Sequence, residues 1–170
     1  MKLRENCRYD LATVSSMGVR ITPFNRQPVQ SSSLFEMQST SAETNVLNIS
    51  ASLGLDTLVM TRFVQDSAIA SFIKAELRKR NIGYTGPDIP QGGPWGYRHQ
   101  FNIADSGYGL RGPVVQNDRA GEVGRTISAS DFDLERLFAK DGVRILHLSG
   151  LIAAMSESTT AACLEIARYA

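Results

Sequence analysis

Few side chains in this sequence of 170 residues have the types and spacing that chemistry near neutral pH requires. Its nucleophiles and bases are sparse: the cysteines are Cys7 and Cys163, and the histidines are His99 and His147. Two cysteines so placed define no disulfide framework, and no Cys/His cluster has zinc spacing. Cys163 stands in an Ala-rich helical run and reads as a small buried apolar residue. Each histidine stands alone, and both read as structural rather than catalytic or metal-bound. Glycine-rich runs are the other candidates, because backbone amides freed of side chains can cradle phosphate. Gly107–Gly112 (GYGLRG) and Gly92–Gly96 (GGPWG) are such runs, yet neither joins a strand to a helix as a phosphate loop must. Lys74, Arg78, Lys79 and Arg80 cluster towards the end of a predicted helix. The macrodipole favours cations there, so a solvated helix end explains them better than a nucleic-acid surface.

Composition narrows the classes further. Hydrophobic residues make up 42% and charged residues 21%, and 18 basic against 17 acidic residues leave a formal net charge of +1. No basic stripe exists of the kind that nucleic acid or an anionic membrane would demand, so neither is expected as a partner. Met1 to Asn6 carry charges with no apolar core after them, which argues against a signal peptide. No stretch approaches the roughly 18 uninterrupted apolar residues of a membrane span. A cytoplasmic, soluble protein is the expectation. A chain of this length suits one domain that buries roughly 70% of its unfolded surface.

The elements that would position any site alternate between strand and helix. Tyr9–Val14 (YDLATV) is a short apolar run suited to a buried strand. Gly18–Phe24 alternates Val19, Ile21 and Pro23 against Arg20 and Thr22, a strand with one wet face, and Pro23 predicts an edge. A polar stretch leads to a short strand at Leu34–Met37. Thr40 and Glu43 have capping-box spacing and open a helix whose buried face is predicted as Ala42, Val46, Ile49 and Leu53. Asp56–Val64 reads as the next strand. Ser67 caps a second helix with the stripe Ile69, Phe72, Ile73 and Leu77, ended by Asn81-Ile82-Gly83. Pro87–Gly96 is a loop rich in Pro and Gly. Tyr97–Ala104 and Pro113–Asn117 read as strands joined around Ser106–Gly109. Ser130 and Asp133 form a second capping-box pattern before a helix burying Leu134, Leu137 and Phe138; Val143–Leu148 is a buried strand, and a helix begins at Ser156. The alternation implies an α/β fold, a parallel sheet with helices on both faces. The more polar strands, about 18–37 and 97–117, suit a small separate sheet.

The order of these segments resembles the N-terminal half of the ribokinase (PfkB) family of carbohydrate kinases, nearest to 2-keto-3-deoxygluconate kinases. YDLATVSSMGVRITP (Tyr9–Pro23) is similar to the family's opening strand and the turn into its lid. TSAETNVLNISASLGL (Thr40–Leu55) resembles the family's Gly-Gly-Ala-x-x-Asn-x-Ala helix. VVQNDRA (Val114–Ala120) is similar to a Val-Val-Tyr-Asp-Arg-Ala run, and ILHLSG (Ile145–Gly150) to the strand before the midpoint of the family's sheet. The resemblance implies a ribokinase-like, Rossmann-like three-layer αβα partial domain with a small β-sheet lid. It also implies transfer of a phosphoryl group from ATP with Mg2+ to a sugar or sugar acid held under that lid. Asn45 matches the sugar-binding Asn, whose amide both donates and accepts. Arg119 matches the arginine that grips a carboxylate. Ser16, Thr40 and Ser41 occupy substrate-facing positions, and Tyr97, on a lid strand, matches an aromatic that touches substrate, with Arg98 or Gln100 as alternatives. Family members often pair through the lid, so a homodimer is implied, with Trp95 and Tyr97 packing in the lid or its interface.

The sequence also departs from the family. Its Gly-Gly is Thr40-Ser41 here, its acidic residue after the first strand is replaced at Ser15-Ser16, its Gly-Asp-Asp is Val64-Gln65-Asp66, and the tyrosine before Asp118-Arg119 is Asn117. No Gly-Ala-Gly-Asp motif carries a catalytic Asp. The ATP-binding half is therefore expected to be absent, neither ATP nor Mg2+ is expected to bind tightly, and the chain alone is expected to phosphorylate nothing. Three readings stand at this point: half of a sugar-acid kinase, a degenerate member that binds a sugar acid or a protein, and an unrelated doubly wound nucleotide-binding domain without a lid.

Overall fold

The computed structural model describes residues 3–170; Met1 and Lys2, the start of the charged N-terminus read above, lie outside them. A parallel four-stranded sheet forms the centre, in the order β10-β1-β4-β6: β1 Tyr9–Val14, β4 Thr57–Met60, β6 Ile82–Thr85 and β10 Val143–His147. Successive strand residues face opposite ways. Thus Leu11 and Val59 join Leu47, Phe63, Ile73 and Leu77 on one side, under helices α1 (Ala42–Ser52) and α2 (Ala68–Lys79). Ala12, Leu58 and Met60 join Ile127, Phe132, Leu137, Ile152 and Ile166 on the other, under α3 (Gly150–Ala153) and α4 (Glu157–Tyr169).

A second sheet stands apart, in the order β3-β2-β8-β9: β2 Gly18–Pro23, β3 Phe35–Thr40, β8 Gln100–Asp105 and β9 Val114–Asp118. Its presence removes the reading of a lidless nucleotide-binding domain. A two-stranded pair, β5 Phe63–Val64 with β7 Asp88–Ile89, completes the strands. Only Ser15, Ser16 and Met17 separate β1 of the main sheet from β2 of the lid. His99 locks that junction: its Nδ1–H donates to the Met17 carbonyl (2.9 Å), and its Nε2 accepts from the Val64 N–H (3.3 Å). Arg62, just after β4, forks onto both carboxylate oxygens of Asp131 (2.5 and 2.6 Å) and donates to Thr126 (2.9 Å). It thereby ties the sheet to the segment that leads into the helices of the far face.

Several expectations are corrected. β2 is an inner lid strand, not an edge; its pairing with β8 ends at Ile21, so Pro23 lies past the last parallel pair. β3 runs to Thr40, so the cap of α1 is Ser41, which accepts from the Thr44 N–H (2.9 Å). The predicted apolar face of α1 is turned outward, with Val46 37%, Ile49 64% and Leu53 75% exposed, while Glu43, Thr44 and Leu47 face the sheet. Its first turn reaches polar partners under the sheet's end, and Leu47 follows Glu43 by one turn, so the outer face is left to the apolar residues. Ile82-Gly83 does not merely end α2 but begins β6, whose pairing with β4 decides what so short a run becomes. The second capping box is Ser128 with Asp131, on a 3-10 turn; Asp133 instead accepts from the Arg136 N–H (2.9 Å) before a seven-residue π-helix, Glu135–Asp141. β10 is an outer strand of the sheet, with Ile145 exposed rather than buried, and the short α3 after it carried no sequence signal.

Candidate functional site

Strand β1 delivers Ser15 and Ser16 to the carboxyl end of the sheet, where open α/β sheets place their ligands. Helix α1 starts from the same end, because Ser41 caps it directly after β3. The lid overhangs both. Between them lies a cleft of about 210 Å³ lined by Ser16, Thr40, Ser41, Asn45 and Arg119 of the sequence-predicted residues, together with Arg20, Glu43, Gln100, Asn102 and Asn117. Residues far apart in the chain therefore line one cleft, but Tyr97 is not among them. That residue precedes β8 rather than belonging to it, is 39% exposed and does not line the cleft. Gln100, three residues on and the first residue of β8, takes its place on the wall; the register set by His99 decides this. His99 turns inward to Met17 and Val64, so its neighbour turns the opposite way, into the cleft.

Two buried carboxylates organise the floor. Glu43, in the first turn of α1, accepts from the Ser15 hydroxyl (2.7 Å) and from the Ser149 hydroxyl that caps α3. Glu122, its side chain wholly buried, accepts from the Ser16 hydroxyl and holds Arg119, whose Nη1 donates to both its oxygens at 3.0 Å. Gly124 makes room for this arrangement, since a Cβ there would come within 1.9 Å of Ser16 Oγ. Carboxylates from α1 and from the loop after β9 thus meet the hydroxyls of Ser15 and Ser16. Sequence reading placed neither glutamate at the site, Glu43 being read only as a capping-box partner, because only the tertiary structure sets them opposite the serines.

Arg119 is consequently no isolated cation. Nη1 engages Glu122, and among the described residues the rest of the guanidinium fork takes no hydrogen bond. Arg20 on β2 carries a second positive charge to the same wall; its Nε donates to Asn102 (3.1 Å), and Asn102 in turn donates to Asn117. Asn45 is exposed on the helix side. The cleft is therefore rich in two-way hydrogen-bonding groups, with a cation on each side of an asparagine pair, a surface suited to hydroxyls and an anionic group together. A further cavity of about 330 Å³ adjoins it, sharing Arg119, Leu151 and Met155.

The glycine runs lie elsewhere. Gly107–Gly112 turns between β8 and β9, and Gly92–Gly96 precedes β8, so neither opens onto a helix N-terminus. Among the described residues no group of three or more His, Cys, Asp or Glu is placed to hold a metal ion, and no helix is long and apolar enough to cross a membrane.

No protein-family model matches the sequence, and no curated protein matches it significantly. Solved structures do. A 2-dehydro-3-deoxygluconokinase from Thermotoga maritima superposes with a TM-score of 0.83 at 21% identity, covering 94% of this chain and 47% of that one. A PfkB family carbohydrate kinase from Listeria grayi gives a TM-score of 0.81 at 22% identity, with coverages of 94% and 47%. A PfkB protein from Polaromonas sp. JS666 gives 0.80 at 22% identity, with coverages of 95% and 51%. The chain therefore has the ribokinase-like fold of these carbohydrate kinases and spans about half of their length.

Proposed function

We propose that these 170 residues form the substrate-binding half of an ATP-dependent sugar or sugar-acid kinase. The observation that carries this reading is the convergence of Ser16, Thr40, Ser41, Asn45 and Arg119 on one cleft between the lid and the start of α1. On this reading Asn45, Asn102 and Asn117 exchange hydrogen bonds with sugar hydroxyls, while Arg20 and the unengaged part of the Arg119 fork take the carboxylate of a sugar acid. Glu122 does not grip substrate; it fixes the plane of Arg119 and leaves its remaining N–H groups pointed for use. ATP with Mg2+ would supply the phosphoryl group. The described residues do not fit that pair, since neither glycine run leads into a helix. On this reading the nucleotide, the metal and the base would be supplied from outside these residues.

A second reading, a non-catalytic sugar-acid-binding relative, draws support from Thr40 and Ser41. Their side chains stand where glycines would let the backbone meet the sugar, and Ser41 Oγ is already engaged by Thr44 (2.7 Å). A coupled kinase assay on the whole product of the gene, with a panel of sugars and sugar acids, separates the two. Phosphorylation of any of them supports the first, and binding without turnover supports the second. Absence of both sinks the assignment. Exposed apolar residues on the lid's outer strands, Phe35, Met37 and Val114, favour pairing of two copies through the lid, which analytical ultracentrifugation would test.

A further inference from the structure

Where the lid meets the body of the molecule, one buried ring carries the connection. His99 is 2% exposed and directly precedes β8 of the lid. Its partners are the Met17 carbonyl, in the passage from β1 to β2, and the Val64 N–H on β5. A backbone N–H can only donate, so Nε2 is the bare nitrogen and Nδ1 carries the proton. Met17, Phe63 and Val64 around the ring are themselves buried. The charged groups that face it are Lys74 of α2 and Asp88 of β7, which pair with each other at 2.7 Å. The connection also reaches the cleft. Arg98, next to His99, donates through its N–H to the Gly121 carbonyl (2.8 Å) and accepts from the Val123 N–H (2.9 Å). Those bonds straddle Glu122, the carboxylate that holds Ser16 and Arg119. Whatever keeps His99 seated therefore also keeps the Arg119 guanidinium set in the cleft wall.

We infer that His99 is a positioning residue worked by a proton: neutral, it fastens the lid to the body and, through Glu122, sets Arg119; protonated, it lets both go. An imidazolium donates from both nitrogens. Nε2–H would then stand against the Val64 N–H at 3.3 Å, donor facing donor inside a buried site. The closed state cannot keep a charged ring there, so the proton selects a state in which the ring has turned out and the bonds of Arg98 are broken. Burial already lowers the ring's affinity for a proton, against the opposing Met17 carbonyl. In the released state the histidine is ordinary, with a pKa of about 6.5, so release should be about 5- to 10-fold more populated at about pH 5.5 than at about pH 7.5. On the proposed function, the hold on a sugar acid weakens as the pH falls. The release itself needs no ligand, so it and the sugar reading stand or fall separately.

The test is native-state hydrogen exchange of the 15N-labelled chain, read by NMR at both pH values and over low urea concentrations, for wild type and His99→Asn. The Val64, Arg98 and Val123 amides should share one opening that depends less on urea than the opening of β1 and β4. Its population should rise about 5- to 10-fold at the lower pH in wild type and stay level in His99→Asn. Exchange of these amides in step with β1 and β4 would show no separate release and overturn the inference. A wild-type opening indifferent to pH would overturn it too, as would a pH response retained by His99→Asn. Should that variant not fold, the wild type decides alone, through the imidazole C–H signals of His99 and His147 followed over the same range. The His99 signal should remain that of a neutral ring in the dominant state. A ring that titrates while the neighbouring amides stay protected would mean that the closed site accommodates the proton, and no such clamp exists.

Discussion

Replacing Glu43 by alanine should destabilise the fold far more than replacing it by glutamine. Glu43 is 2% exposed and accepts from the hydroxyls of Ser15 and Ser149, joining α1 to the end of β1 and to the turn after β10. Each hydroxyl-to-carboxylate bond contributes about 1.5 kcal/mol, and the space vacated by the side chain adds about 1 kcal/mol, so Glu43→Ala should cost about 3–4 kcal/mol. Glutamine fills the same space and keeps one carbonyl acceptor. Its NH2 can donate to whichever serine turns to accept, because a hydroxyl does both. Glu43→Gln should therefore cost under about 1 kcal/mol, most of it from losing a negative charge near the helix N-terminus. With a urea m-value of about 2 kcal/mol/M, the alanine midpoint should fall by about 1.5–2 M and the glutamine midpoint by less than about 0.5 M. Equal losses for the two variants would mean that charge, not hydrogen bonding, holds this corner. An alanine variant as stable as wild type would show that burying the carboxylate costs as much as its bonds return, and the reasoning would fail.

Other perturbations test other joints. Burial holds the His99 imidazole below its ordinary pKa, outweighing the opposing Met17 carbonyl, and its Nε2 must stay unprotonated to accept from Val64. The unfolded chain gains a proton below about pH 6.5 that the folded chain refuses. Urea midpoints should thus fall as pH drops from 7 towards 5, and a His99→Asn variant should lose most of that slope; an unchanged slope would contradict the tautomer assigned. Arg62→Lys should cost about 1–2 kcal/mol, since an ammonium cannot reproduce the two-pronged contact with Asp131, and a midpoint equal to wild type would count against it. Gly18→Ala should cost about 1–3 kcal/mol through overpacking, with a smaller loss in the double variant Gly18→Ala/Gln100→Ala, because the clash is chiefly with the Gln100 side chain. Equal losses would place the strain in the backbone instead.

Much of the fold could be read before the structure. β1 and α2 announced themselves through a continuous apolar run or a capped apolar stripe, and the polar alternation of β2 and β9 set them apart as a lid; the strand predicted over Asp56–Val64 is instead two, β4 and β5, broken at Thr61-Arg62 and paired in different sheets. What could not be read was tertiary. β6 is four residues long and owes its strand character to β4. The outward-turned face of α1 follows from the needs of Glu43, which no periodicity reveals. At the site, the residues matched by resemblance met in one cleft except Tyr97, where an offset of three positions separated the aromatic from the cleft-facing Gln100. In sequence Glu43 reads only as a capping-box partner and Glu122 carries no signal; their burial depends on serines that arrive from β1, distant in the chain. Gly18 and Gln100 form a matched pair visible only once the β2–β8 register is known.

The three-residue passage from β1 to β2 has a mechanical consequence. Ser15 is fastened to Met60 through its N–H (3.0 Å) and to Glu43 through its hydroxyl, and Ser16 is fastened to Glu122. The same residues that floor the cleft are the pivot on which the flap would swing. Any tilting of the flap must drag Ser16, and through Glu122 the attitude of Arg119, so the shape of the chamber and the angle of its cover cannot vary independently.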